Sequence, residues 1–236
     1  MIIKRILVLA NSIQHSRLRR VAGRELITDA TGQIRWGAWI RPVSNHDEGA
    51  LNVGEQRLAH ARDPEPLDVV QVPLSAPENH PLQPENWLIH PDQAWTKESY
   101  FDTQVLLPLV EEPDSLWLDP VQKNDWASAA VLQRLPNFQS LYLIRPEAFL
   151  FQVRPKVGEG SSEKQVRGLF IYKGRPYDFP LADPLIGQKY FPDFPRTPEG
   201  DIPPSDRSRT LLCVSLTPPF REFPYKVIAT VLELPA

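Results

Sequence analysis

Gln165-Val-Arg-Gly-Leu-Phe-Ile-Tyr172, Lys173-Gly174 and Arg175-Pro-Tyr-Asp-Phe-Pro180 read in succession as a strand, a two-residue turn and a second strand. Such a turn needs a positive φ, which Gly174 takes without steric cost. The segments around this hairpin have the same character. Ser140 to Ile144 and Ala148 to Arg154 precede it as candidate strands, and Thr210 to Leu216 and Tyr225 to Leu234 follow, separated by a turn at Pro218-Pro219. Residues 187 to 206 hold five prolines and read as a surface loop. No stretch after residue 136 is long and periodic enough for a helix that could build βαβ units, which argues against a doubly wound parallel sheet.

The first half begins with Ile3 to Ala10, a continuous apolar run that reads as a buried strand. Ser16 to Arg24 is too basic for a core and reads as a loop or short helix, and Leu26 to Ala30 as a short strand. In Gln33 to Val43, Ile34, Trp36, Ala38 and Ile40 recur every second residue, which sends Trp39 and Arg41 to the opposite face. Asn45 to Pro66 is a polar excursion, Leu67 to Pro73 a strand ended by proline, and Ser75 to His90 irregular. Ala94 to Leu109 fits a strand or a helix equally. Asp119 is placed to cap a helix with Pro120 in its first turn, Val121, Trp126, Ala130, Val131 and Leu135 on its apolar stripe, and Pro136 as its stop.

Two groups of short strands around one helix point to a mainly β chain of two tandem OB-like small barrels, with one linking helix and long proline-rich loops. Partly open five-stranded barrels close sheet edges economically at this size. The expected division is residues 1–113 for an N-terminal barrel with a polar insertion, 114–136 for the linking helix and 137–236 for a C-terminal barrel.

Composition agrees with a globular chain: of 236 residues, 42% are apolar and 23% charged. The 26 prolines are about twice the usual ~5% share. A lone cysteine, Cys213, can form no intrachain disulfide, which fits a reducing, cytoplasmic setting. The apolar part of the N-terminus is far shorter than a membrane span of ~20 residues, so no membrane association is expected. Net charge is −3, but residues 1 to 45 carry eight Lys/Arg against two Asp/Glu. A basic segment in an otherwise acidic chain suggests a local anion site rather than a broad duplex-binding face.

No sequence pattern specifies catalysis. His15, His46, His60, His80 and His90 form no zinc motif, and there is no phosphate-binding glycine loop and no nucleophile elbow. Cys213 sits in the apolar run Leu211 to Val214 and reads as a small hydrophobe. No catalytic residue, metal ligand or cofactor is therefore assigned. The stronger signal is Arg17, Arg19, Arg20 and Arg24 around Gly23, with Trp39, Arg41 and Ser44 on the later strand. Guanidinium forks suit phosphate, an exposed tryptophan offers a stacking face, and a glycine lets backbone amides approach an anion. Alternatively, Trp39 packs in the core and the arginines pair with the acidic middle segment. In the second half, Asp183 before Pro184 reads as a turn or cap residue, and Arg167 and Lys226 as ordinary solvated positions.

The order of segments resembles the bacterial dual OB-containing domain family. The resemblance rests on Lys4-Arg-Ile-Leu-Val-Leu-Ala-Asn11, Val21-Ala-Gly-Arg-Glu25, Gly37-Ala-Trp-Ile-Arg-Pro-Val-Ser44, Leu67-Asp-Val-Val70, Gln83-Pro-Glu-Asn86, Tyr177-Asp-Phe-Pro-Leu-Ala-Asp-Pro184, Leu212-Cys-Val-Ser-Leu216 and Tyr225-Lys-Val-Ile-Ala229. It implies two tandem OB-type barrels and a role in bacterial defence through recognition of nucleic acid or nucleotides. The expected function is thus a binding module for single-stranded nucleic acid or a nucleotide. The alternatives are a protein–protein interaction scaffold, and a nucleotide-processing enzyme using Asp183, Glu25 or a histidine.

Overall fold

The computed structural model describes residues 1–13, 18–46, 49–52, 54–56, 58, 62–117, 125–135, 137–156, 163–204, 209–220 and 223–234. The chain is mainly β, with 53% of the described residues in strands and 10% in helices. It divides into two compact units, Met1–Leu109 with Asn137–Leu141, and Val110–Pro136 with Tyr142–Ala236.

In the first unit β1 (Ile2–Ile13), β2 (Arg19–Thr28) and β3 (Ile34–Val43) form an antiparallel meander. β4 (Asp68–Pro77) and β5 (Asn86–Ile89) follow, and the sheet order is β1-β2-β3-β5-β4, closed into a barrel by pairing of β1 with β4. The contact of β3 with β5 is parallel. β6 (Thr96–Tyr100) pairs with the start of β4, on the edge opposite β1, and a 3₁₀ turn at Thr103–Leu109 follows, so the ambiguous 94–109 stretch is strand and helical turn in succession. Ile6, Val8, Val21, Ile40, Val70, Val72, Leu74 and Ile89 fill the barrel. Leu51 and Leu58 join them, so the polar excursion between β3 and β4 also supplies the core.

Of the basic stretch expected as a loop or short helix, residues 19–24 are instead the first half of β2, while Ser16 and Arg17 lie outside the described residues. Strand alternation explains this: Val21 enters the core, while Arg20 and Arg24 take the other face.

The second unit repeats this strand order. β7 (Leu141–Ile144) and β8 (Ala148–Pro155) together stand in for the first strand, interrupted by residues 145–147. β8 pairs with β9 (Lys164–Tyr172), and β9 with β10 (Arg175–Pro180) through the Lys173-Gly174 turn read from the sequence. β7 pairs with β12 (Thr210–Phe220), which pairs with β13 (Phe223–Glu233). β10 and β13 meet at a parallel bridge between Leu181 and Ile228, the counterpart of β3 against β5. β11 (Gly200–Ile202) lies on the free edge of β8, within the stretch expected to be loop.

Two local expectations change. Pairing of β12 and β13 runs past the prolines to Phe220↔Phe223, with an irregularity between Leu216 and Pro219. The strands therefore stay paired past Pro218-Pro219, where the sequence suggests the turn; proline is tolerated in a ladder where the register breaks. The start of the expected 119–135 helix lies outside the described residues. Within its described part only α1 (Ala129–Leu132) is helical, and Trp126 instead forms a bridge with Tyr225. α2 (Pro184–Tyr190) follows the third strand of this unit.

Candidate functional site

OB folds bind ligands on the face of their second and third strands, between the loops joining strands one to two and four to five. In the first unit these strands are β2 and β3, with residues 78–85 as the described loop; in the second they are β9 and β10, and residues 14–17, 157–162 and 221–222 lie outside the described residues.

The first unit buries much of this face. Trp39 is 3% exposed, with the Arg24 guanidinium 5.8 Å from its ring centre, so it offers no open stacking surface of the kind read from the sequence. Arg41 is 2% exposed. Its Nη1 donates to Ser140 Oγ at 2.9 Å and Asn86 Oδ1 at 3.4 Å, and lies 3.9 Å from Glu85 Oε2. The Glu85 carboxylate accepts from Ser140 N at 2.6 Å and from Ser140 Oγ at 2.8 Å. Asn86 Nδ2 in turn donates to Glu78 Oε2 at 2.6 Å and Gln83 Oε1 at 3.2 Å. Arg41 is therefore an internal tie that fixes the 78–85 loop and residues 137–141 on the barrel. Buried charge of this kind must be paired.

The other candidates divide. Ser44 is buried and donates to Glu55 Oε1 at 2.7 Å, a local brace. Gly23 lies in the β1–β2 ladder, where a Cβ would stand 2.1 Å from the Leu7 carbonyl oxygen; its smallness serves strand packing rather than an anion. Arg24 Nε donates to the Gly37 carbonyl at 2.9 Å. Arg19 and Arg20 are half-buried at the start of β2, beside the first loop. Arg19 Nη1 is shielded from water and meets no hydrogen-bond partner among the described residues. Arg17 lies outside the described residues. His80, on the 78–85 loop, has its proton affinity lowered by burial first; Arg41 and Arg20 push the same way, against Glu78 and Glu85. Its Nδ1 accepts from Leu82 N at 3.2 Å, which requires an unprotonated nitrogen there.

The second unit arranges its polar face differently. Strand pairing puts Gln152 and Arg154 of β8, Gln165 and Arg167 of β9, and Asp178 of β10 on one side. Arg167, only 5% exposed, donates from Nε to Asp178 Oδ1 at 2.5 Å and from Nη1 to Asp125 Oδ2 at 2.8 Å. Arg154 Nη2 donates to Asp178 Oδ2 at 2.6 Å. Next to Asp125, Trp126 packs on Phe223 with ring centres 4.4 Å apart. Neither Arg167 nor Lys226 is the solvated residue expected, since both are buried. The hairpin turn held the signal for Arg167: it pairs Pro180 with Arg167 and Asp178 with Leu169, making Arg167 and Asp178 diagonal neighbours on one face.

Asp183 caps α2, with Oδ1 accepting from Leu185 N and Ile186 N, and Oδ2 from Val231 N at 2.9 Å. Burial nevertheless raises its carboxyl above the ordinary aspartate value. Glu25 is paired with Lys4 at 2.6 Å. Among the described residues no cluster of His, Cys, Asp or Glu has the arrangement of a metal site, and no helix is long and apolar enough to cross a membrane.

Two successive units with the 1-2-3-5-4 strand order define a dual OB-type fold, which suggests a binding module. The chain belongs to the dual OB-containing domain family, whose model matches residues 4–231. No curated protein and no solved structure matches it.

Proposed function

We propose that this module binds single-stranded nucleic acid, with a phosphate held at the start of β2. The observation that carries the reading is Arg19 Nη1, shielded from water with no acceptor among the described residues. A buried donor left unmet costs about 1–3 kcal/mol, and a phosphate oxygen would remove that cost. Its place supports the reading, because β2 belongs to the ligand face of OB folds. So does the excess of Lys/Arg in residues 1 to 45. A free nucleotide presents the same phosphate chemistry and is the smaller form of this ligand.

Anisotropy of labelled 20-nucleotide DNA and RNA at two salt concentrations tests it. Saturable binding should weaken with salt, and Arg19→Ala should lower the slope of log K against log salt by about 1. A salt-independent signal, or an unchanged slope in the variant, would defeat the assignment. The second reading is a protein-interaction scaffold, favoured by the exposed side chains of Met1, Ile2 and Ile3 at the start of β1.

A further inference from the structure

The second unit holds an aromatic pair beside a charge-balanced polar face. Phe223 is 37% exposed and rests on Trp126. The backbone of Trp126 is fixed by its bridge to Tyr225, and Ala127 N donates to the Pro224 carbonyl at 2.9 Å. The ring pair is thus held from both sides by β pairing. One residue away, Asp125 joins Arg167, Asp178 and Arg154 in a network of two guanidinium and two carboxylate groups. Arg154 Nε is buried with no partner among the described residues, and Asp178 retains 38% side-chain exposure.

We infer that this face takes an unpaired base of a single strand, stacked on Phe223 and met at its edge by the Arg154–Asp178 network. This rests on the proposed nucleic-acid reading and gives the second unit its own contact with a base. Charge decides against phosphate here: each guanidinium already faces a carboxylate, and a phosphate would have to displace Asp178 or lie against it. A base is uncharged, has a π face for Phe223, and carries both donors and acceptors on its edge.

The test compares a 20-nucleotide DNA strand with an abasic strand of equal length, for the wild type and for Phe223→Ala. The variant is expected to lose roughly 5- to 100-fold in affinity for the base-bearing strand, with its salt slope unchanged. Affinity for the abasic strand should stay at the wild-type value. Equal binding of the base-bearing strand by wild type and variant overturns this inference and leaves the phosphate reading standing, as does an equal loss on both strands. Failure of the wild type to bind either strand overturns both. A Phe223→Tyr variant, which keeps the ring, should retain wild-type affinity; loss there as well would also overturn the stacking role.

Discussion

The first unit places Arg41 on its third strand with almost no exposure, tied to Ser140, Asn86 and Glu85, all of them buried. The second unit places Arg167 on its second strand, equally covered, but its carboxylate partners Asp178 and Asp125 keep 38% and 24% side-chain exposure. The same strand order therefore carries a sealed polar network in one unit and a half-open one in the other. A sealed network fixes loops, because its charges have no other partner. A half-open network leaves hydrogen-bonding capacity at the surface, where a ligand can meet it.

The difference should show most strongly in stability. Arg41→Ala leaves Glu85 buried beside an empty site and should cost about 3–5 kcal/mol in urea denaturation. Arg167→Ala leaves two carboxylates that water can reach, and should cost about 1–3 kcal/mol. Equal costs would break the distinction between sealed and open networks.

A matched pair of glycines on the second strand of each unit sharpens it further. An alanine Cβ at Gly168 would meet side chains, Ile228 Cδ1 at 2.2 Å and Phe149 Cε2 at 2.8 Å, which can shift for about 1–3 kcal/mol. At Gly23 it would meet the Leu7 backbone carbonyl, which moves only if β1 and β2 separate. Gly23→Ala should therefore be the more destabilising of the two by thermal melting.

The smallest effect concerns pH. With the folded-state His80 value lowered, the unfolded chain binds a proton that the folded one refuses. Stability should fall as pH drops below about 6.5, the ordinary histidine value, and recover above it. His80→Gln should flatten that slope in denaturation curves taken from pH 5 to 8, and an unchanged slope would remove His80 as its source.

Local patterns carried much of the fold. The Lys173-Gly174 turn is where it was read, with φ of 49° and 68°. Asp183 is the cap that its place before Pro184 suggested. β2 departs from the expectation because four arginines in a short stretch look unfit for a core, although every second residue of a strand can face away from it. The site was less legible. Trp39 and Arg41 were placed correctly on the face opposite Ile40, but alternation tells only which side a residue takes, not what covers that side.

The sequence by itself determined the β class, the central hairpin with its register, and the family, since turns, alternation and short motifs act between near neighbours. Only the tertiary structure decided which arginines are ties and which are available. The partners of Arg41 lie 45 and 99 residues away, at Asn86 and Ser140, and Asp125 is 42 residues from Arg167. The burial that sets the energy of those pairs depends on the whole folded surface.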